Sequence, residues 1–354
     1  MVKLFINGLI LIMVPALHAT EDATEDATEI NTKTHRLIEV GDDIYLAQTT
    51  VRLFNSNALV VINEEDVLVV DSHITPTKGR ELIRSIQTMT SKPITTLVNS
   101  HFHYDHSHGS QAFVDATFPY NVKVQTIGHE FTRMKMAGSP LTEGTYVNGL
   151  SGNRAYVERL KEKLSKTEGA DEKIQAQVQL DLISGHVKEW DEIQPVPPSN
   201  TFSDRMTLYR GSREIQLHFF GRAHTGGDVV VYFPAEKLVF TGDMMLEGPS
   251  WLGDGYVDEW ANTLENLKSL DIEKIVPGHG LPFTEVHRID LVQAFYKDLW
   301  NKTEVLFNDG VNVENAAKMI DMTNHKRLNV LRVGFDPSAI ERMYQRMTAK
   351  VSRQ

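Results

Sequence analysis

The sequence predicts an α/β protein of four layers, with two β-sheets packed face to face and helices on both outer surfaces. Three observations predict it. Apolar hairpins at Ala58 to Val70 and at Val229 to Phe240 each close on an aspartate, Asp71 and Asp243. Each hairpin is followed by one helical stretch and a further strand that runs into a histidine-bearing turn, so the two halves share one order. Strands and helices alternating in this way bury each sheet between other layers. At 354 residues the chain can bury a large core, and its 41% apolar and 23% charged content is that of a globular protein.

The elements follow in order. Lys3, the apolar run Leu4 to Val14, Pro15 and the sequence A-L-H-A read as a secretory signal cleaved after Ala19, because the run is too short to span a bilayer. That places the remaining chain in the periplasm or outside the cell, with no stable membrane span once the signal is gone. The acidic repeat from Thr20 to Glu29 has nothing to bury, and residues 20–34 read as a disordered linker. Strands are expected at Ile44 to Thr49, Ala58 to Ile62 and Val67 to Val70. Leu82, Ile83, Ile86 and Met89 have helical spacing between Pro76 and Pro93, and Ile94 to Val98 returns as a strand.

Residues 128–198 read as a helical insertion, with Tyr156 to Leu164 and Ile174 to Trp190 carrying apolar residues three and four apart before the breaker P-V-P-P. It is expected either to wall the site or to pad the scaffold. The second half then supplies the strands Val229 to Phe233 and Leu238 to Phe240, the helix Trp260 to Leu270 and the strand Lys274 to Val276. Glu285 to Phe307, Val313 to Ile320 and Pro337 to Val351 read as helices of a C-terminal extension, residues 285–354, packed on the main unit at 35–284.

The formal net charge of -11 argues against nucleic acid or an anionic membrane as partner and leaves a small-molecule substrate, while composition leaves the oligomeric state open. With no cysteine, neither a disulfide nor a thiolate-bound metal is possible, so any metal must be held by carboxylates and by some of the 14 histidines.

Those ligands concentrate in Ser100 to Gly109, S-H-F-H-Y-D-H-S-H-G, where His101, His103, Asp105 and His106 directly follow a strand. Alternate residues of extended chain share a face, so His101 and His103 can point together, and a turn just after them can bring Asp105 and His106 to a neighbouring position. Downstream, G-R-A-H-T-G-G-D brings His224, T-G-D brings Asp243 and P-G-H-G brings His279, each in a glycine-flanked turn beside an apolar strand. His73, His129, His186, His218, His287 and His325 read as ordinary surface or hydrogen-bonded histidines, and His108 as the start of the helix after the loop.

H-x-H-x-D-H followed by three such turns resembles the metallo-β-lactamase superfamily, and the likeness runs from about Ile38 to Phe283, broken only by the insertion. The resemblance implies an αββα sandwich holding two Zn2+ per chain. It implies that His101, His103 and His224 hold one zinc, that Asp105, His106 and His279 hold the other, and that Asp243 bridges them. A metal-bridging hydroxide would attack a carbonyl, with Asp105 orienting it and carrying its proton. Asp71 resembles the family's buried aspartate that holds a ligand histidine in its tautomer.

The segment Trp251 to Leu264 is similar to the true metallo-β-lactamases, so hydrolysis of a β-lactam amide by an exported enzyme is the leading expectation. The chain departs from their pattern at Asp243, where the nearest of them carry a zinc-binding cysteine, and at Leu246, where they carry a lysine for the substrate carboxylate. Arg222, two residues before His224 and on the same side if that segment is extended, is the expected substitute cation. Asp243 matches glyoxalase II and lactonases instead, which makes a thioester or lactone hydrolase the first alternative. A mononuclear iron persulfide dioxygenase is the second, since imidazole suits zinc and iron alike.

Overall fold

The computed structural model of the chain describes residues 29–49, 56–116, 122–137 and 145–352. The expected signal segment and nearly all of the acidic repeat lie outside them. The first sheet has eight strands in sequential order: β1 (Glu29–Asn31), β2 (His35–Gly41), β3 (Ile44–Thr49), β4 (Ala58–Ile62), β5 (Val67–Val70), β6 (Ile94–Val98), β7 (Gln125–His129) and β8 (Asn200–Phe202). Pairing is antiparallel from β1 to β5 and parallel from β5 to β8. The crossover from β5 to β6 is helix α1 (Pro76–Met89), whose start is fixed by the Thr75 side chain accepting from the Lys78 amide and by proline in the first turn.

The second sheet has five strands: β9 (Arg205–Arg210), β10 (Arg213–His218), β11 (Val230–Phe233), β12 (Leu238–Phe240) and β13 (Lys274–Val276), in the order β13-β12-β11-β10-β9. Only β12 and β13 are parallel, joined through helix α7 (Val257–Leu267).

Alternation of side chains along the strands separates three cores. Leu59, Val61, Leu68, Val70 and Val98 from the first sheet meet Leu217, Val231, Phe233 and Phe240 from the second, and all are fully buried. On the outer face of the first sheet, Val60, Val67 and Val69 pack against Leu82, Ile83 and Ile86 of α1 and against Phe113 of the short helix α3 (Ser110–Asp115), which follows α2 (Tyr104–Ser107). On the outer face of the second sheet, Val230, Tyr232 and Val239 meet Trp260 of α7 and three C-terminal helices, α8 (Arg288–Asn308), α9 (Val313–Met319) and α10 (Pro337–Val351). Strands β4 and β5 are buried on both faces and so read as unbroken apolar runs. At about 1.5 to 3 kcal/mol for each fully buried aliphatic or aromatic side chain, these two-sided strands are the firmest part of the frame that carries the site.

The insertion consists of α4 (Glu130–Ala137), α5 (Thr145–Lys166) and α6 (Ala170–Glu189). Val157, Leu182 and Ile183 of the α5 and α6 pair close over Ile74 and Tyr104, and Trp190 with Met136 closes over Phe102, so the insertion packs on the loop that carries the histidine cluster.

Three sequence expectations differ from the structure, and one strand-bearing stretch carried none. The segment expected to be a disordered linker to residue 34 is structured from Glu29, because β1 finds a partner in β2. The chain between the insertion and His224 folds into β8 and the β9–β10 hairpin, an edge whose residues alternate with polar ones and so carry a weak strand signal. β7 stands at the start of the segment read as all helical. Residues 219–229 form a chain of bends rather than a strand. Among the described residues, no helix is long and apolar enough to cross a membrane.

Candidate metal centre

Parallel strands deliver their carboxyl ends to one edge of the sandwich, where every motif histidine and aspartate gathers. The chain leaves β5 through Asp71, which sits in the left-handed region at φ 63. Its carboxylate is fully buried and accepts from the Ser100 amide at 2.8 Å, from Ser100 Oγ at 2.7 Å and from His106 Nδ1 at 2.7 Å. After β6, residues 100–103 form a buried, bent stretch, and α2 then turns Asp105 and His106 inward. Gly109 ends this turn against the backbone of Ser72, so closely that a Cβ there would lie 1.8 Å from the Ser72 carbonyl oxygen.

The His224 loop is tied to the same stretch by the Val229 amide, which donates to Ser100 O at 2.7 Å. The T-G-D and P-G-H-G turns are joined by the Gly278 amide donating to Gly242 O at 2.8 Å, and a Cβ at Gly278 would stand 2.3 Å from Asp243 Oδ1.

Three groups of ligand atoms result, each with its members within 4.8 Å of one another: His101, His103 and His224; His101, His106 and Asp243; and Asp105, His106 and His279. Asp243 lies between the outer two groups, 3.6 Å from His224 Nε2, 3.4 Å from His106 Nε2 and 3.5 Å from His279 Nε2. His279 Nε2 is 3.0 Å from Asp105 Oδ2. Four of the five histidines, His101, His103, His106 and His224, are buried, whereas the side chains of Asp105 and His279 keep 18% and 23% of their surface, so the cluster opens to solvent on their side.

Hydrogen bonding around the cluster fixes which ring nitrogens carry protons. Ser100 Oγ gives its proton to Asp71, so it accepts from His101 Nδ1 at 3.0 Å and leaves a lone pair on His101 Nε2. Asp254, acceptor only, accepts from His103 Nε2 at 3.0 Å, which leaves a lone pair on His103 Nδ1. These two lone pairs face each other at 3.0 Å, and His224 Nε2 closes on the same His103 nitrogen at 2.8 Å. Ring nitrogens converging in this way suit a cation between them. His106 Nδ1 donates to Asp71, which turns the other nitrogen inward, and there His106 Nε2 and Asp243 Oδ1 are both buried without a hydrogen-bond partner. A metal ion would satisfy all of these atoms together, so the donor set fits a cation held by imidazole and carboxylate.

The electrostatics agree. Burial pushes His224 down to about 3 and, with the neighbouring rings, holds His101 well below the ordinary histidine range. Burial also opposes a charge on His106, yet Asp105, Asp243 and Asp71 reverse it and hold His106 well above that range; Asp243 and Asp105 likewise raise His279 against its burial. Burial would raise the two carboxylates, but His106 and His279 overcome it and hold Asp105 and Asp243 below the ordinary range. The field favours positive charge at the centre.

Of the residues expected from sequence, His101, His103, Asp105, His106, His224, Asp243 and His279 converge, with Asp71 directly behind them. Arg222 does not join them. Its segment bends instead of extending, and its guanidinium pairs with both oxygens of Glu259 and lies 4.5 Å over the Tyr256 ring. His108 ends α2, where it meets His186 Nε2 at 3.0 Å. Two supporting residues had no role assigned from sequence: Asp254, and Ser250, whose Oγ is 3.2 Å from His224 Nδ1. The signal for Asp254 was the one that marked Asp71, a carboxylate in a tight turn, here L-G-D-G.

Residues 51–279 match the metallo-beta-lactamase superfamily. Over 104 residues the chain is 30% identical to the metallo-beta-lactamase type 2 of Elizabethkingia meningoseptica, covering 27% of this chain and 42% of that protein. The linear primary-alkylsulfatase of Pseudomonas sp. (strain ATCC 19151) is 20% identical over 274 residues, 74% of this chain and 49% of that protein. The chain thus spans less than half the length of either curated relative. Among solved structures, the DIM-1 metallo-beta-lactamase is similar at 20% identity and a TM-score of 0.50, covering 75% of this chain and 97% of that one. A double mutant of the sec-alkyl sulfatase PisA1 is similar at 18% identity and a TM-score of 0.62, covering 88% of this chain and 50% of that one. At these identities the structural likeness is one of fold, while the match over more than half of the sequence carries the assignment: the chain belongs to the metallo-beta-lactamase superfamily.

Proposed function

We propose that the chain is an exported two-zinc hydrolase of small molecules. In this reading His101, His103 and His224 would hold one ion and Asp105, His106 and His279 the second, with Asp243 standing between the two sets. The observation that carries it is the buried pair His106 Nε2 and Asp243 Oδ1, 3.4 Å apart and neither in a hydrogen bond, set beside the opposed ring nitrogens of His101 and His103.

When bound, the ions supply a Lewis acid and a water acidified to near neutral pH. The chain's own residues do the rest. Asp71 and Asp254 fix the tautomers of His106 and His103, so each ring presents a lone pair without reorganising. Asp105, at the open side of the cluster and 3.0 Å from His279 Nε2, is placed to take a proton from the attacking water and to pass it to the leaving group. No serine, cysteine or threonine nucleophile is required.

The leading substrate reading is a β-lactam amide, supported by the Trp251 to Leu264 segment and by the partial likeness to a metallo-beta-lactamase of Elizabethkingia meningoseptica. A sulfate ester is the second reading. What favours it is the likeness to PisA1, which extends over 88% of the chain, together with the engagement of Arg222 by Glu259 in place of a substrate carboxylate.

Metal analysis of protein purified without added metal tests the centre: two zinc per chain is expected, and one iron with oxygen consumption would overturn it. A panel of a cephalosporin, a secondary alkyl sulfate, a homoserine lactone and a glutathione thioester, compared by kcat/KM, then ranks the substrates. Preference for the sulfate by tenfold or more would displace the β-lactam reading, and preference for the lactone or thioester would displace both.

A further inference from the structure

The superfamily match ends at residue 279, yet the last helix of the chain reaches back to the metal centre. Helix α10 buries Ile340, Met343 and Met347 against the core of the second sheet, which sets its intervening residues beside the loop 250–256. There Arg342 Nε donates to Gly255 O at 3.1 Å and Arg342 Nη2 to Asp254 O at 3.4 Å, with the guanidinium 5.0 Å over the Tyr256 ring.

This loop holds two rings of the three-histidine group. Asp254 accepts from His103 Nε2, Ser250 Oγ contacts His224 Nδ1, and the Tyr256 amide donates to Ala223 O at 2.8 Å, next to His224. Gly253 and Gly255 flank Asp254, so the backbone that aims its carboxylate has more conformational freedom than any other residue type would leave it. A planar guanidinium bonded to two successive carbonyls removes that freedom, and its fork makes two bonds at a fixed angle where an ammonium would make one.

We propose that Arg342 is a positioning residue of the metal centre: by clamping the Asp254 and Gly255 carbonyls it holds the Asp254 carboxylate on His103, so that a helix outside the superfamily match sets the affinity of the first metal subsite. The inference rests on the reading of His101, His103 and His224 as metal ligands.

The test is zinc competition against a chromophoric chelator on the full-length chain, comparing wild type with Arg342→Ala, Arg342→Lys, Arg346→Ala and Asp254→Asn. Arg346 serves as the control, since it lies on the same helix and pairs with Asp258 and Glu259 rather than with the loop carbonyls. Arg342→Ala and Asp254→Asn are expected to weaken one of the two zinc sites by about 10- to 100-fold and leave the other within about twofold. Arg342→Lys is expected to fall between, and Arg346→Ala to lower the melting temperature without changing either zinc affinity. Wild-type affinities retained in Arg342→Ala would overturn the proposal, as would an equal loss in Arg346→Ala. If Arg342→Ala does not fold, the same comparison is read from Arg342→Lys. Failure of the wild type to bind zinc would instead remove the metal reading itself.

Discussion

His106 Nδ1 lies 2.7 Å from Asp71 Oδ2, and the same carboxylate holds the amide and hydroxyl of Ser100, so one buried side chain aims both ends of the ligand loop. Truncation in Asp71→Ala would strand three buried donors at once. It is expected to cost about 3 to 5 kcal/mol of stability, the scale seen when one partner of a buried charged network is removed. Zinc affinity is expected to fall by about 10- to 100-fold, because His106 loses its tautomer and its orientation. Urea unfolding of the metal-free protein reads the first effect and chelator competition the second. Unchanged zinc affinity in a folded variant would show that Asp71 only supports the backbone.

Asp105 differs from Asp71 in being open to solvent and in having its backbone held separately, by Ser56 Oγ donating to its carbonyl at 2.7 Å. Asp105→Asn therefore keeps the fold and an oxygen facing the ions while removing the proton acceptor. The expected outcome is a kcat lower by about 10²- to 10⁴-fold with both metals retained, read by turnover and metal analysis on one sample. Full activity with two metals bound would take the proton-carrying role away from Asp105.

These two residues also mark what could be read without a structure. The sandwich was legible because β4, β5, β11 and β12 are buried on both faces and the two hairpins they form close on Asp71 and Asp243, a local pattern visible within a few residues. The candidate ligands were legible because four of them stand in one short stretch and the other three in glycine-flanked turns. The β9–β10 hairpin was not, since its residues are mostly half-buried or exposed at a sheet edge and the apolar alternation fades. The pairing of Arg222 was not readable because its partner Glu259 lies 37 residues away, and Arg342 stayed invisible because its contacts to Asp254 span 88. Local patterns report strands and turns, whereas a long cation's partner is chosen by tertiary packing.

The helical insertion seats on the metal loop through a buried polar chain in which Asn153 Nδ2 meets His186 Nδ1 at 2.9 Å, His186 Nε2 meets His108 Nδ1 at 3.0 Å, and Tyr104 stacks on the His186 ring. Burial pushes His186 down to about 4, so the folded protein keeps it neutral where the unfolded chain, near 6.5, would protonate it. The unfolded state thus binds more protons between these values, and the stability His186 contributes is full above pH 6.5 and lost as pH falls through 4. His35, also held at about 4 by burial, acts in the same direction. Asp228, raised to about 6 by burial, acts in the opposite one, since its ionisation costs stability as pH rises. Replacing His186 by Asn deletes one of these contributions and leaves the others. The metal-free variant is therefore expected to lose stability less steeply than wild type between pH 6.5 and 4.5, by up to about 1.4 kcal/mol per pH unit, even if it starts lower at neutral pH. Urea unfolding of both proteins at three pH values measures the two slopes. Parallel lines would mean that His186 titrates alike in the folded and unfolded chain, and that its seat under the insertion is open to water.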